Sequence, residues 1–77
     1  IEKDPMNASL FLNRGLTYYD VGNKEEAIKD FTRAIELNKN SKQLFKPYFH
    51  RGNTLRELGR VEESIDDLSK AVELDPR

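Results

Sequence analysis

His50 is the residue of this 77-residue chain best suited to acid–base chemistry or metal binding, and it is the only histidine. An imidazole changes its charge near neutral pH and is a common ligand of metal ions. A metal site or a nucleophilic centre needs further ligands or a partner base, and the sequence has no cysteine and no second histidine. We therefore expect no catalytic residue, no metal site and no cofactor, and we predict that the chain is not an enzyme.

The polar side chains around His50 have a spacing that suits recognition. Lys46 lies four residues before His50, and Asn53 and Arg56 follow at intervals of three. Residues three and four apart lie on the same side of a helix, so these groups can converge on one extended chain or one carboxylate. The competing interpretation is a solvated helix face, because exposed polar side chains need no special explanation.

An internal repeat with an offset of 37 residues defines the elements that must position these side chains. Gly15 and Gly22 recur as Gly52 and Gly59. The same offset relates four apolar pairs: Ile28 and Ile65, Ala34 and Ala71, Ile35 and Val72, Leu37 and Leu74. Such a chain is built from copies of one small unit, and its function is expected on the surface that the stacked copies create.

Each copy has the hydrophobic spacing of two amphipathic helices, so we predict an all-α fold with four helices. The predicted helices span residues 10–19, 24–37, 47–58 and 61–74. Gly22 and Gly59 are expected to end the first helix of each pair, which gives two helix–turn–helix hairpins. Pro47 is tolerated in a first helical turn, which favours a start near Lys46 over a kinked helix that starts near Ser41.

The last predicted helix has one apolar side and one acidic side. The residues predicted to face inward are Val61, Ile65, Leu68, Ala71 and Val72. The residues predicted to form a solvated outer face are Glu62, Glu63, Asp66, Asp67, Glu73 and Asp75. The net charge of the whole chain is −1, and no long apolar run is present. We therefore expect neither nucleic acid nor a membrane as a partner, and the cytoplasm as the default location.

The repeated unit resembles the tetratricopeptide repeat, whose period is about 34 residues. The matching residues are Phe11, Gly15, Tyr18, Ala27, Phe31 and Ala34 in the first copy, and Tyr48, Gly52, Leu55, Ser64, Leu68, Ala71 and Pro76 in the second. The small residues are expected where two helices approach closely. Arg14 and Arg51 stand where the family has apolar residues. The resemblance implies an α-α superhelix with repeats at 8–41 and 42–77, the second with a short insertion at its start.

The resemblance also implies a non-enzymatic scaffold whose concave groove holds a peptide segment of a partner protein. The groove would be lined by the first helix of each pair, through Ser9, Leu12, Asn13, Leu16, Tyr19, Asp20, Lys46, Phe49, His50, Asn53, Arg56 and Glu57. Seven of them form the predicted peptide-binding set: Asn13, Leu16, Lys46, Phe49, His50, Asn53 and Arg56.

Two alternatives to a general groove stay open. Some members of the family clamp the C-terminal carboxylate of chaperones, and Asn13 and Lys46 match two of the clamp residues. His50 stands where that clamp has an arginine, and a neutral imidazole cannot make the forked hydrogen bonds of a guanidinium. The other alternative is a structural self-assembly module.

The two ends of the sequence resemble each other. Residues 1–5 match residues 72–76, so we expect 1–7 to be the tail of a preceding repeat and the chain to be a segment of a longer array. Terminal repeats without a polar cap expose apolar surface, here part of the Ile65, Leu68 and Val72 face of the last helix. This exposure predicts a homodimer or a larger assembly at high concentration.

Overall fold

The computed structural model describes residues 5–37 and 44–75, which contain four α-helices and no strand. Helix α1 spans Pro5–Asp20, α2 Lys24–Leu37, α3 Phe45–Glu57 and α4 Val61–Leu74. Helix α1 packs against α2, α3 packs against α4, and contacts between α2 and α3 join the two pairs. The prediction of an all-α fold with four helices is confirmed, and α2 and α4 have the predicted bounds.

Helices α1 and α3 begin earlier than predicted. Helix α1 starts at Pro5, five residues before the predicted start. The fixed φ of proline suits the first helical position, where a backbone N–H would have no intrahelical acceptor, so proline loses no hydrogen bond there. Helix α3 starts at Phe45 and holds Pro47 in its first turn, as the tolerance of proline at that place predicts. Residues 41–43, where the kinked alternative would begin, lie outside the described residues.

The same turn reverses the chain in both helix pairs. In the first turn Gly22 has a φ of 89°, and the backbone N–H of Asn23 donates to the carbonyl of Tyr18 at 2.8 Å. In the second turn Gly59 has a φ of 86°, and Arg60 N–H donates to its equivalent carbonyl at 2.9 Å. A left-handed residue followed by this bond is the Schellman ending of a helix, which glycine adopts without strain. The prediction that these glycines end α1 and α3 is confirmed.

Gly15 and Gly52 lie where the two helices of each pair touch. A methyl group at Gly15 would stand 2.7 Å from Cε1 and 2.8 Å from Cδ1 of Phe31. A methyl group at Gly52 would stand 2.8 Å from Cγ and 2.9 Å from Cδ2 of Leu68. These separations are well below van der Waals contact, so the absence of a side chain sets how closely the helices approach. The predicted role of both glycines at helix–helix contacts is confirmed.

We expect Gly15→Ala to destabilise the protein more than Gly52→Ala. Alanine gains about 1 kcal/mol over glycine in a helix interior, whereas overpacking costs about 1–3 kcal/mol. The ring of Phe31 is fully buried and cannot yield, so Gly15→Ala should cost about 1 kcal/mol net. Leu68 is only partly buried and can shift, so Gly52→Ala should be nearly neutral. Urea unfolding of the two variants measures the difference, and equal costs would contradict this account.

The buried core is narrow and rich in alanine. Its hydrophobic members are Ala8, Ala27, Phe31, Ala34, Leu55 and Ala71. Of the five α4 residues predicted to face inward, Ala71 is buried and Leu68 is partly buried, whereas Val61, Ile65 and Val72 are exposed. The exposure of Ile65 and Val72 is the one predicted for the uncovered face of a terminal repeat. In α2 the equivalents of the last two, Ile28 and Ile35, are partly covered because α3 packs beside them, whereas no described helix packs on that side of α4.

Candidate functional site

A hollow of about 300 Å³ lies between α1 and α3. Its lining residues come from α1, α2 and α3: Leu16, Tyr19, Asp20, Phe31, Phe49, His50, Asn53 and Thr54. Phe31 of α2 and Thr54 are fully buried, whereas Phe49 is exposed. The hollow therefore combines an aromatic residue of the core with an exposed aromatic ring and several hydrogen-bonding groups.

Four of the seven predicted peptide-binding residues line this hollow: Leu16, Phe49, His50 and Asn53. The other three, Asn13, Lys46 and Arg56, are exposed and lie outside its lining. Of the wider predicted groove, Tyr19 and Asp20 line the hollow, whereas Ser9, Leu12 and Glu57 do not. Sequence spacing therefore placed these residues on the correct helices without showing which of them surround one concavity.

His50 is half-buried and held between two aromatic rings. It stacks on Phe31 with ring centroids 5.8 Å apart and meets the Phe49 ring edge-on at 5.5 Å. Burial lowers the pKa of the imidazole below its usual 6.5, and the positive charge of Lys46 lowers it further. His50 is therefore neutral at pH 7 and acts as an aromatic and hydrogen-bonding residue.

The lowered pKa of His50 gives a pH-dependent stability. Because the unfolded chain binds a proton at higher pH than the folded chain, stability is fully present above pH 6.5 and falls as the pH decreases towards the folded-state pKa. We expect His50→Asn, which introduces the residue of the equivalent position Asn13, to remove this decrease. Urea unfolding between pH 7 and pH 5 measures it. The hydrogen bonds from Arg14 hold the pKa of Asp30 below its ordinary value, so this carboxylate stays ionised across that pH range. An identical pH profile for the variant would contradict the role of His50.

Tyr19 ties the two repeats together at one end of the hollow. Its hydroxyl donates to Oε2 of Glu57 at 2.6 Å, and this bond raises the pKa of the phenol. The ammonium of Lys24 lies 4.0 Å from Oε1 of the same carboxylate and 5.6 Å from the centre of the Tyr19 ring. Tyr19 and Glu57, both predicted to line the groove, therefore form a hydrogen bond between α1 and α3 beside the hollow.

A buried aspartate in each helix pair receives a forked pair of hydrogen bonds from an arginine. Arg14 donates to Asp30 through Nε at 2.7 Å and Nη2 at 2.9 Å. Arg51 donates to Asp67 in the same way, at 2.6 and 2.9 Å. Arg33 adds a third bond to Asp30, and the hydrogen bonds from Arg14 hold the pKa of Asp30 below its usual range.

The sequence prediction missed this pair of ion pairs. Asp67 was expected on a solvated outer face and is instead buried against α3. The signal was present, because Asp30 and Asp67 share the 37-residue offset that relates Arg14 to Arg51. The offset relates Glu36 to Glu73 as well, and these two are exposed, so repetition marks the charges of the unit without showing which of them are buried.

Comparison with known families identifies the repeated unit. The model of the tetratricopeptide repeat matches residues 8–41 and, a second time, residues 45–77. The chain belongs to the tetratricopeptide repeat family. This family is a non-enzymatic module of protein–protein interaction, and the two matches coincide with the two helix pairs. No curated protein sequence matches the chain closely enough to serve as a relative.

Among the described residues, no group of three or more His, Cys, Asp or Glu side chains could hold a metal ion. No helix of the described part is long and apolar enough to cross a membrane. The predicted resemblance to the family is confirmed, and Arg14 and Arg51, which depart from its apolar pattern, are explained by their buried aspartate partners.

Proposed function

We propose that these tetratricopeptide repeats bind an extended peptide segment of a partner protein in the hollow between α1 and α3. The observation that carries the proposal is the exposed ring of Phe49 at a concavity that reaches the buried ring of Phe31. Binding sites are concavities lined by apolar and aromatic residues with a few polar groups that fix orientation. A net charge of −1 supports a protein partner over nucleic acid.

The ring of Phe49 is held in place before a ligand arrives. It stacks on Phe45 with ring centroids 5.8 Å apart and meets the His50 ring edge-to-face at 5.5 Å. An aromatic residue that is already ordered loses little conformational entropy on binding, which is why such residues act as anchors at interfaces. We infer that Phe49 supplies the main apolar contact with the peptide.

Size and polarity define the peptide that the hollow accepts. A hollow of about 300 Å³ is at the small end of ligand sites and suits one or two apolar side chains. The amide of Asn53 has both donors and an acceptor, so it can pair with the backbone of an extended peptide. We therefore propose a ligand with an aliphatic or aromatic side chain that enters the hollow beside an extended backbone.

Display of random twelve-residue peptides on phage, selected against the 77-residue chain, provides a probe for this function. We expect Phe49→Ala to weaken binding of the selected peptide by about 30-fold, as the loss of an aromatic anchor worth about 2 kcal/mol implies. The control is Val72→Ala, which removes an exposed apolar side chain from α4, away from the hollow, and should leave affinity unchanged. Equal losses for both variants would show that the hollow is not the site.

The carboxylate clamp is the alternative for the same face. Its support is the proximity of Lys46 to His50, whose pKa the lysine charge lowers. The neutral state of His50 weakens the clamp because an imidazole without charge contributes no ion pair. Two synthetic versions of one acidic peptide, with a free and with an amidated C-terminus, separate the alternatives. A clamp requires the free acid and loses affinity with Lys46→Ala, whereas a general groove binds both versions equally.

A further inference from the structure

The two outer helices of the described structure leave uncovered the faces that the two inner helices bury. On α1, Leu10 is 62% exposed, whereas its equivalent Pro47 on α3 is fully buried. On α4, Ile65 is 56% and Val72 60% exposed, whereas their equivalents on α2 are partly covered beside α3. The exposed face of α1 therefore corresponds to the face of α3 that packs on α2, and the exposed face of α4 corresponds to the face of α2 that packs on α3.

Arg14 and Arg51 show the same difference in polar contacts. The side chain of Arg51 is 21% exposed, and its Nη1 donates to the Thr32 hydroxyl of α2 at 3.0 Å. The side chain of Arg14 is 53% exposed, and among the described residues no acceptor meets its Nη1. The residue of α4 equivalent to Thr32 is Ser69, which is exposed and carries the same kind of acceptor. Nη1 of Arg14 on α1 could therefore donate a hydrogen bond to the hydroxyl of Ser69 on an α4 helix.

We propose that α1 of one copy of this chain docks on α4 of a second copy, as α3 docks on α2 within one copy. Leu10 would lie against the second copy's α4, where Ile65 and Val72 are exposed, and Nη1 of Arg14 would donate to the hydroxyl of Ser69. The contact joins two different faces, so it does not close on itself and adds copies head to tail.

The charges favour this arrangement over a symmetric pair. Helix α4 carries five acidic residues and one lysine, so an α4–α4 contact would bring like charges together. The charged residues of α1 are Arg14 and, at its far end, Asp20. A contact between α1 and α4 therefore sets an arginine towards an acidic helix.

Two single variants and their mixture test the proposal by sedimentation velocity of the 77-residue chain. Leu10→Glu disables the α1 face and Ile65→Glu disables the α4 face, and both positions are exposed, so folding is preserved and is checked by circular dichroism. At millimolar concentration we expect the native chain to exceed the mass of a dimer. Each variant alone should be monomeric, and their equimolar mixture should form a complex of one copy of each and nothing larger.

Four results would overturn the proposal. A native chain that is monomeric at millimolar concentration shows that both faces are stable in water. A dimer formed by Leu10→Glu alone indicates a symmetric contact through α4, and a dimer formed by Ile65→Glu alone indicates one through α1. The control Phe49→Ala leaves both faces intact and should associate like the native chain; loss of association in this variant places the contact in the hollow between α1 and α3.

Discussion

Replacing Arg51 with methionine is expected to lower the free energy of unfolding by about 3 kcal/mol. Asp67 is buried, and the described structure gives its carboxylate one arginine, which donates from Nε at 2.6 Å and Nη2 at 2.9 Å. Methionine keeps the apolar stem of the side chain and removes the charge. The carboxylate then remains buried without its cation, and this uncompensated charge is the source of the cost. Urea unfolding at pH 7 measures the loss.

The first repeat provides the matched control for this prediction. Asp30 keeps Arg33, which donates to Oδ1 at 2.9 Å, when Arg14 is replaced by methionine. Arg14 is also largely exposed, so Arg14→Met should cost less than Arg51→Met. In the double variant Arg51→Met/Asp67→Asn the buried negative charge is gone, and we expect part of the stability to return. Equal costs in the two repeats, or a double variant less stable than Arg51→Met, would contradict the assigned role.

Replacing Phe31 with alanine is expected to cost about 3–5 kcal/mol, the usual range for a fully buried aromatic residue. The ring touches three features at once: it fills the space beside Gly15, it stacks on His50, and it lines the hollow. A module of this size has only a few kcal/mol to lose, so the variant should be largely unfolded in buffer. Circular dichroism and urea unfolding in sucrose, which favours the folded state, measure the remaining stability.

Phe31→Leu is the graded control, because leucine is the residue at the equivalent position Leu68 of the second repeat. It should fold and cost clearly less than the alanine variant, since most of the buried volume is kept. Its empty space borders His50, so we also expect the hollow to bind the selected peptide more weakly. A Phe31→Ala variant as stable as Phe31→Leu would show that the ring is not the main packing element of the first repeat.

The fold could be predicted from the sequence because the same pattern of glycines and apolar residues occurs in both repeats. Gly22 and Gly59 marked the turns, and the 3.6-residue spacing of α2 and α4 fixed their bounds to the residue. The start of α1 was missed because the first turns of that helix lack an apolar stripe, and Pro5 alone is compatible with a loop or a helix start. The exposure of Val61 was not predicted, because periodicity shows that a face is apolar, not whether another helix covers it. Ile65 and Val72 were predicted to lie on apolar surface that a terminal repeat leaves uncovered, and they are exposed.

The site could be predicted only as a helix face. Spacing put Phe49, His50 and Asn53 on the same side of α3, and they do line one hollow. Which α1 residues lie opposite depends on the distance and angle between helices, which the contacts at Gly15 and Gly52 determine. The stacking of His50 on Phe31 depends on the same geometry, so residue spacing could not predict the burial of His50 or its lowered pKa.

The proposal that the hollow between α1 and α3 binds peptide is tested most directly by NMR. The selected peptide is titrated into the ¹⁵N-labelled chain, and the amide shifts are followed residue by residue. We expect the largest shifts at Leu16, Phe49 and Asn53, with contacts between peptide protons and the Phe49 ring, and unchanged amides at the exposed α4 residues Ile65 and Val72. Shifts that cluster on α4 and leave the amides of the hollow unmoved would contradict the proposal.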